Sequence, residues 1–467
     1  MIKRYLGDKA FWRSTFRLAL PTAIQNLLIS SFTLIDTVMV GQLGDISLAA
    51  VGMAGQYSFV INLFLFGISS GTSVFVSQYW GAGNNKGIKK ILGITLVSSL
   101  LCSFVFLLSG LLFPEFIIGV FNKETAVISE GAAYLRTAVF SYPAIALAMS
   151  FSAVLRSTEN VRIPMYASGI STVLNCIFNY VFIFGALGIP AMGIKGAALA
   201  TTISAWINPL FMYFISYKQH NIIIGKLDEI FIFERSLVIE FIKKAAPVTF
   251  NEGTWGLGTL VLNIMFGRLG YEQFAAVTIL RTFTDVSFAF FIGLCSACCV
   301  MVGKSIGQGK IEEGYTDSLR FTAIVPLFSL FLGMVILIFR SPLVKLFNLT
   351  GNLTPYTAAV ATGIMAVVGA ELFLRNIPYI QIVGIFRSGG DTFTGMKYDF
   401  ICLWLFSIPV TYLTSFVLKI PFTAVYATML IFEDVPKIVM CLRHFRSRKW
   451  IMPVTEEGKK ALIEMQS

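Results

Sequence analysis

Asp36 stands inside an apolar run, residues 18–44, long enough to cross a bilayer. An ionised Asp near the bilayer interior costs roughly 2.5–3.5 kcal/mol even on lenient insertion scales, so it is kept mainly where it faces water or a partner. No Lys or Arg lies three or four residues to either side to pair with it along a helix. Two readings follow: the carboxylate hydrogen-bonds a neighbouring helix and fixes packing, or it takes up a mobile cation. Asn26, Ser30, Thr33 and Thr37 recur at helical spacing on one face, with Asp36 at its edge, and that face reads as a cavity-lining stripe. Pro21, in the same run, removes a backbone hydrogen bond and favours a bend.

Other reactive groups have plainer explanations. Arg281 with Asp285, and Glu371 with Arg375, are spaced to neutralise each other along a helix. The group Cys295, Cys298 and Cys299 lacks paired zinc-ligand spacing and nearby histidines, so the cysteines read as small packing residues. His220 and His444 are the only histidines and fall in expected loop or tail segments, which argues against a histidine metal site. Sequons at Asn348 and Asn352 would matter only in a secretory-pathway host.

The elements that must position Asp36 follow from composition. The chain is 56% hydrophobic and only 13% charged, with mean hydropathy +0.77, whereas soluble domains are about a quarter charged. Apolar runs predict an all-α integral membrane protein with twelve transmembrane helices. They are expected near 14–40, 49–79, 91–113, 131–154, 164–187 and 195–217, then 245–267, 275–303, 319–340, 357–385, 398–418 and 421–443. The net charge of +11 does not form one basic face, which argues against nucleic acid as a partner. Its cations concentrate at both ends, including Lys3 and Arg4, and in the even-numbered connections, which predicts cytoplasmic termini. The opening residues lack the apolar core of a removable signal peptide.

An internal repeat divides the chain. Sliding the second half so that Pro247 falls on Pro21 also places Gly267 on Gly41, Gly270 on Gly44, Gly293 on Gly67, Gly307 on Gly81 and Gly309 on Gly83. A later stretch matches Arg387-Ser388 to Arg156-Ser157. The expected organisation is an N-lobe of six helices (1–216), a cytoplasmic linker with a short amphipathic helix (217–244), a C-lobe of six helices (245–450) and a cytoplasmic tail (451–467). An even number of crossings per half relates the two six-helix lobes by a pseudo-two-fold axis along the membrane normal. In this register Glu252 takes the place of Asn26, and it too lacks a cation three or four residues away. Cys295, Cys298 and Cys299 fall on Ser69, Thr72 and Ser73, which suits their packing role.

Several stretches carry a family resemblance in order: Asp36-Thr-Val-Met-Val-Gly-Gln-Leu-Gly, Ser77-Gln-Tyr-Trp-Gly-Ala-Gly, Asn175-Cys-Ile-Phe-Asn-Tyr-Val-Phe-Ile-Phe-Gly, Gly193-Ile-Lys-Gly-Ala-Ala-Leu-Ala-Thr and Phe445-Arg-Ser-Arg-Lys-Trp. Together they resemble the multidrug and toxic compound extrusion (MATE) family over essentially the whole chain. The resemblance implies an antiporter in which entry of Na⁺ or H⁺ drives export of amphipathic, often cationic compounds by alternating access. It implies a coupling-cation site at Asp36, Asn175, Asn179 and Thr201, with no other cofactor. The residue types agree, because Asn175 and Asn179 share a helical face and would offer hard oxygen ligands suited to Na⁺, while a buried Asp could equally hold a proton. Interhelical hydrogen bonding by the two asparagines is the plainer alternative.

In the second half Glu252 resembles the seventh-helix Glu of some members. Where those members have a tenth-helix Asp, no carboxylate is found around Asn376, Pro378 and Tyr379. Substrate or a second cation is expected at Glu252, Asn251, Trp255 and Tyr379, with Tyr180 a further candidate cavity residue, and Pro21 is expected to act as a hinge. The rival readings are a flippase for lipid-linked or polysaccharide precursors and an integral membrane enzyme. In-span cations with acidic partners argue against the first, and the lack of a catalytic motif against the second. The expected setting is a bacterial inner membrane, with a small-molecule substrate and a monomeric chain.

Overall fold

A computed structural model describes residues 5–347 and 353–466. The sequons at Asn348 and Asn352, and the Lys3–Arg4 pair, lie outside the described residues. Twelve long helices are found among the described residues: α1 (Lys9–Gly41), α2 (Asp45–Gly81), α3 (Asn85–Leu112), α4 (Thr125–Ser157, with a tightened turn at Val139–Ser141), α5 (Arg162–Phe184) and α6 (Ile194–Lys218) form the first set. The second set is α7 (Arg235–Leu269), α8 (Tyr271–Gly307), α9 (Ile311–Phe347), α10 (Pro355–Gly389), α11 (Thr392–Val417) and α12 (Phe422–Arg446). By length and composition, ten of these are apolar enough to cross a membrane, and α7 and α12 are the other two. Those two carry the charges that lower their hydropathy, Glu433, Asp434 and Lys437 in α12 and Lys243, Lys244 and Glu252 in α7.

The helices start and stop where the side chains dictate. Asp8 caps α1 by accepting the Phe11 N–H at 2.8 Å, Asn84 caps α3 from Gly87 N at 2.8 Å, and Asp391 caps α11 from Thr394 N at 3.1 Å. Gly44 and Gly270, which share a repeat position, turn the chain between consecutive long helices at φ 109° and 147°, a backbone conformation that L side chains rarely adopt. Wide π turns at Ile380–Phe386, Ile401–Ser407 and Leu413–Val417 interrupt α10 and α11. The connection after α6 contains a short helix, Leu227–Phe231, and α7 begins at Arg235 rather than near residue 245.

The chain divides into two compact units, Pro21–Thr249 and Met1–Leu20 with Phe250–Ser467. Both divisions fall inside helices, one at Pro21 and one just after Pro247. In the first unit, Ile61, Leu65, Leu107, Leu135 and Val139 form a buried core, and Tyr142 bonds Ser58 at 3.0 Å beside it. The short connecting helix belongs to this unit, where Lys89 pairs with Glu229 at 2.6 Å. In the second unit Phe11 packs on Phe321 with ring centroids 5.1 Å apart. There α9 and α10 approach through Gly333 and Gly369, where a Cβ on Gly333 would lie 2.2 Å from the Gly369 carbonyl oxygen. Cys298 packs against Gly384 in the same unit, leaving room only for small groups.

The segment after α12 folds back on the second unit. Trp450 is fully buried, stacks on Phe445 at 6.0 Å and donates to the Phe445 carbonyl at 3.2 Å. Met452 N donates to Gly389 O at 2.7 Å, Thr455 Oγ1 donates to Gly307 O at 3.0 Å, and Glu312 pairs with Arg448. Asp391 meets His444 at 2.7 Å, and although burial opposes ionisation, His444 and the Thr394 N–H hold the Asp391 carboxyl below the usual carboxylate range. Trp450→Ala is expected to cost about 3–5 kcal/mol and to expose the tail to protease in limited digestion. Because the folded-state value of Asp391 is depressed, its contribution is full above the unfolded carboxylate value of about 3.9 and is lost as pH falls through the folded value. The cap that Asp391 places on α11 should therefore weaken in acid, read as a fall in melting temperature as the folded carboxyl takes up its proton.

Candidate cation-binding site

Asp36 lies half-buried near the C-terminal end of α1, facing α5. Asn175 and Asn179, one turn apart, are 0% and 1% exposed, which puts both amides on the inward face of α5. The Asn179 amide donates to Asp36 Oδ1 and, at 2.7 Å, to Asn175 Oδ1. Turned over, the Asn175 amide instead donates to Asp36 Oδ1 at 3.0 Å, and its oxygen accepts from Thr201 N at 3.3 Å. No Lys, Arg or His among the described residues forms an ion pair with Asp36. Asn179 Oδ1 is buried without a hydrogen-bond donor, an oxygen left free to coordinate beside the carboxylate.

Thr201 of α6 comes to the same place, joined by Tyr134 of α4, whose hydroxyl interacts with Thr201 and whose ring lies within electrostatic reach of Asp36. The four expected residues are therefore neighbours, with a carboxylate, two amide oxygens and a hydroxyl as hard donors. Tyr134 had no signal in sequence, since its position 98 residues along from Asp36 shows no spacing that links the two. The rest of the expected stripe is less uniform. Asn26 donates to Thr22 O at 2.8 Å, and the exposed Thr33 and Thr37 hydroxyls bond back to Ile29 and Thr33 carbonyls of their own helix. Pro21 sits within α1, where its ring nitrogen has no N–H to give to the helix.

The expected second-half residues divide into three settings. Glu252 has a counter-charge: Arg387 at the end of α10 donates to it at 2.8 Å, with both groups largely buried. Spacing along α7 could not reveal that partner, although the repeat offered a hint, because Arg387 falls on Arg156, which reaches Gln25 of α1 at 3.5 Å. Asn251 and Trp255 line a small pocket of about 10 Å³, the size of a single water site, together with Thr254, Asp399, Glu433 and Lys437. In that pocket the Asn251 amide donates to Asp399 at 2.9 Å, and Lys437 pairs with Asp399 and Glu433 at 3.1 Å each. Tyr379 meets Phe288 edge-on at 5.5 Å, within electrostatic reach of Glu252. Tyr180 is 60% exposed beside Phe184. Arg281 with Asp285, and Glu371 with Arg375, remain in electrostatic reach as their spacing predicts, while neither Glu371 oxygen accepts a hydrogen bond from a described residue.

Removing one partner of a buried ion pair strands the other charge, at a cost of about 3–5 kcal/mol. Arg387→Met is expected to lose that much in a thermal or denaturant melt in detergent, and the Glu252→Gln, Arg387→Met double variant to recover most of it. Equal losses in the single and double variants would show that the pair is not coupled.

The MatE family model matches residues 21–181 and 247–413, stretches that begin at the two prolines paired by the repeat. Among proteins of known name, the chain is 25% identical to the probable multidrug resistance protein NorM of Thermotoga maritima, over 94% of this chain and 93% of that protein. It is also 25% identical to the multidrug resistance protein NorM of Vibrio vulnificus, over 85% and 86%. Among solved structures it superposes on a variant of the Vibrio cholerae MATE transporter VcmN with TM-score 0.85 and 19% identity, covering 95% and 98% of the two chains. A MATE protein in the bent conformation gives TM-score 0.86 at 19% identity, covering 100% and 99%. The solved structures share the fold, and the family match spans both halves of the chain: it belongs to the MATE family of multi-pass membrane transporters, which are not enzymes.

Proposed function

We propose that the protein is a secondary active antiporter that exports amphipathic, often cationic organic compounds in exchange for Na⁺ or H⁺. The observation that carries this reading is Asp36, an acid within an apolar helix that has two amides, a free amide oxygen and a hydroxyl for neighbours and no described cation as a partner. A site of this composition takes up a small cation without a fixed counter-charge having to leave first. Na⁺ would be held by Asp36, Asn175, Asn179 and Thr201, whereas H⁺ would need only the carboxylate. The names of the NorM relatives support a multidrug substrate class.

In the proposed cycle the incoming cation neutralises Asp36, the α1 helix changes its bend at Pro21, and the balance between alternative conformations shifts toward release of substrate. A proline in the middle of α1, unable to donate an N–H along the helix, supports a hinge there. Trp255 and Asn251 are proposed to contact substrate, where an aromatic ring lies near the acids Asp399 and Glu433. Glu252 enters this scheme as a paired residue, its negative charge already met by Arg387. Two six-helix lobes, cytoplasmic termini, a bacterial inner membrane and a monomeric chain complete the proposal, supported by the repeat and by the basic residues at both ends.

Purified protein in liposomes, with imposed Na⁺ and then H⁺ gradients, tests the reading. A gradient of the coupling ion should accelerate uptake of a fluorescent organic cation, and Asp36→Asn should insert normally yet lose that acceleration, by roughly 5–150-fold. Coupled transport that survives the substitution would refute the role of Asp36, and acceleration by neither gradient would refute antiport.

A further inference from the structure

Helices α10, α11 and α12 of the second unit bring four carboxyls together with two cations. Lys437 serves two of the acids, Asp399 and Glu433, at 3.1 Å each, and Asn251 donates to Asp399 at 2.9 Å. The other two acids, Glu371 of α10 and Asp434 of α12, turn toward each other, and their carboxyl groups interact directly. Both are deeply buried, at 6% and 2% exposure. Neither oxygen of Glu371 receives a hydrogen bond from a described residue, and neither does Asp434 Oδ2. Two ionised carboxylates in contact are acceptors only. In an apolar interior they would repel each other and leave those oxygens unsatisfied.

One proton removes both difficulties. An O–H on either acid donates to the other, so that the missing donor is supplied within the pair and one of the two negative charges is cancelled. We propose that Glu371 and Asp434 form a proton-binding site that holds one shared proton between α10 and α12. The surroundings bear on which protonation state is held. Arg375, on the same helix as Glu371 and 5.8 Å above the Phe288 ring of α8, favours negative charge on both acids. Glu433 opposes it from α12, while Lys437, held by Asp399 and Glu433, favours it only in part. Tyr426 of α12 stands beside Arg375 and Glu371, and Arg281 of α8 reaches that tyrosine. Helix α9, which also packs on α10, approaches it through Gly333 and Gly369. Four acids against two cations leave two negative charges in excess, so a single proton lowers the excess to one without discharging the cluster.

This site involves the second unit alone and stands whether or not Asp36 takes up the coupling cation. Infrared spectroscopy of the full-length protein in lipid at neutral pH tests it through the carbonyl stretch of a protonated carboxyl group, recognised by its shift in D₂O. The unsubstituted protein should show such a band, and its absence overturns the proposal outright without recourse to variants. A component of the band should vanish in Glu371→Gln and also in Asp434→Asn, because either amide donates to the remaining acid and leaves it ionised. The same component should persist in Asp36→Asn. A component lost in only one of the two variants would mean that a single acid holds the proton unaided, and one retained in both would place it elsewhere; either result overturns sharing.

Discussion

Charge inside apolar helices has to be compensated, and nearly every functional feature of this chain comes from the way each buried acid meets that requirement. Glu252 is met by a full counter-charge from Arg387, and Asp399 and Glu433 divide the charge of one lysine. Asp36 is met only by neutral amides, which stabilise the carboxylate without cancelling it. Glu371 and Asp434 meet each other. The degree of compensation sorts these acids: a paired acid has little to gain from a mobile cation, whereas one surrounded by amide and hydroxyl oxygens has much.

Proline and glycine arrange the scaffold around these charges. Pro21 and Pro247 occupy the same repeat position, the family match begins at each of them, and the divisions between the two compact units fall at the first and just beyond the second. A proline inside a long helix leaves one carbonyl without its N–H partner, so the helix can change direction there at little further cost. Gly44 and Gly270 repeat the same positive-φ turn at equivalent places. A sequence duplicated at the points where the backbone bends or turns retains a duplicated chain path even after most side chains have diverged.

The carbon-rich surface follows from the same setting. Large apolar side chains such as Leu101, Phe116, Leu210 and Ile338 are more than half exposed, which in water would invite aggregation but in a bilayer faces a medium as apolar as the side chains. Interior contacts rest instead on small residues and hydroxyls, as in the Gly333–Gly369 approach and the 2.7 Å contact between Thr72 and Thr95. Hydrophobic burial discriminates poorly between the inside of such a protein and its outside, so polar contacts and close backbone approach must specify the packing.

Hydropathy, helical spacing and the duplicated proline–glycine pattern are properties of the chain alone, and they determined the all-helical membrane class, the twelve helices, the repeat and the anomaly at Asp36. They act locally or by register, within reach of one helix at a time. Tertiary structure decided the partners. Arg387 beside Glu252, Tyr134 beside Thr201, Lys437 beside Asp399, and Asp434 against Glu371 all join residues on different helices. Whether a buried acid is neutralised depends on a few ångströms across a helix interface, and no spacing along a single helix encodes that distance.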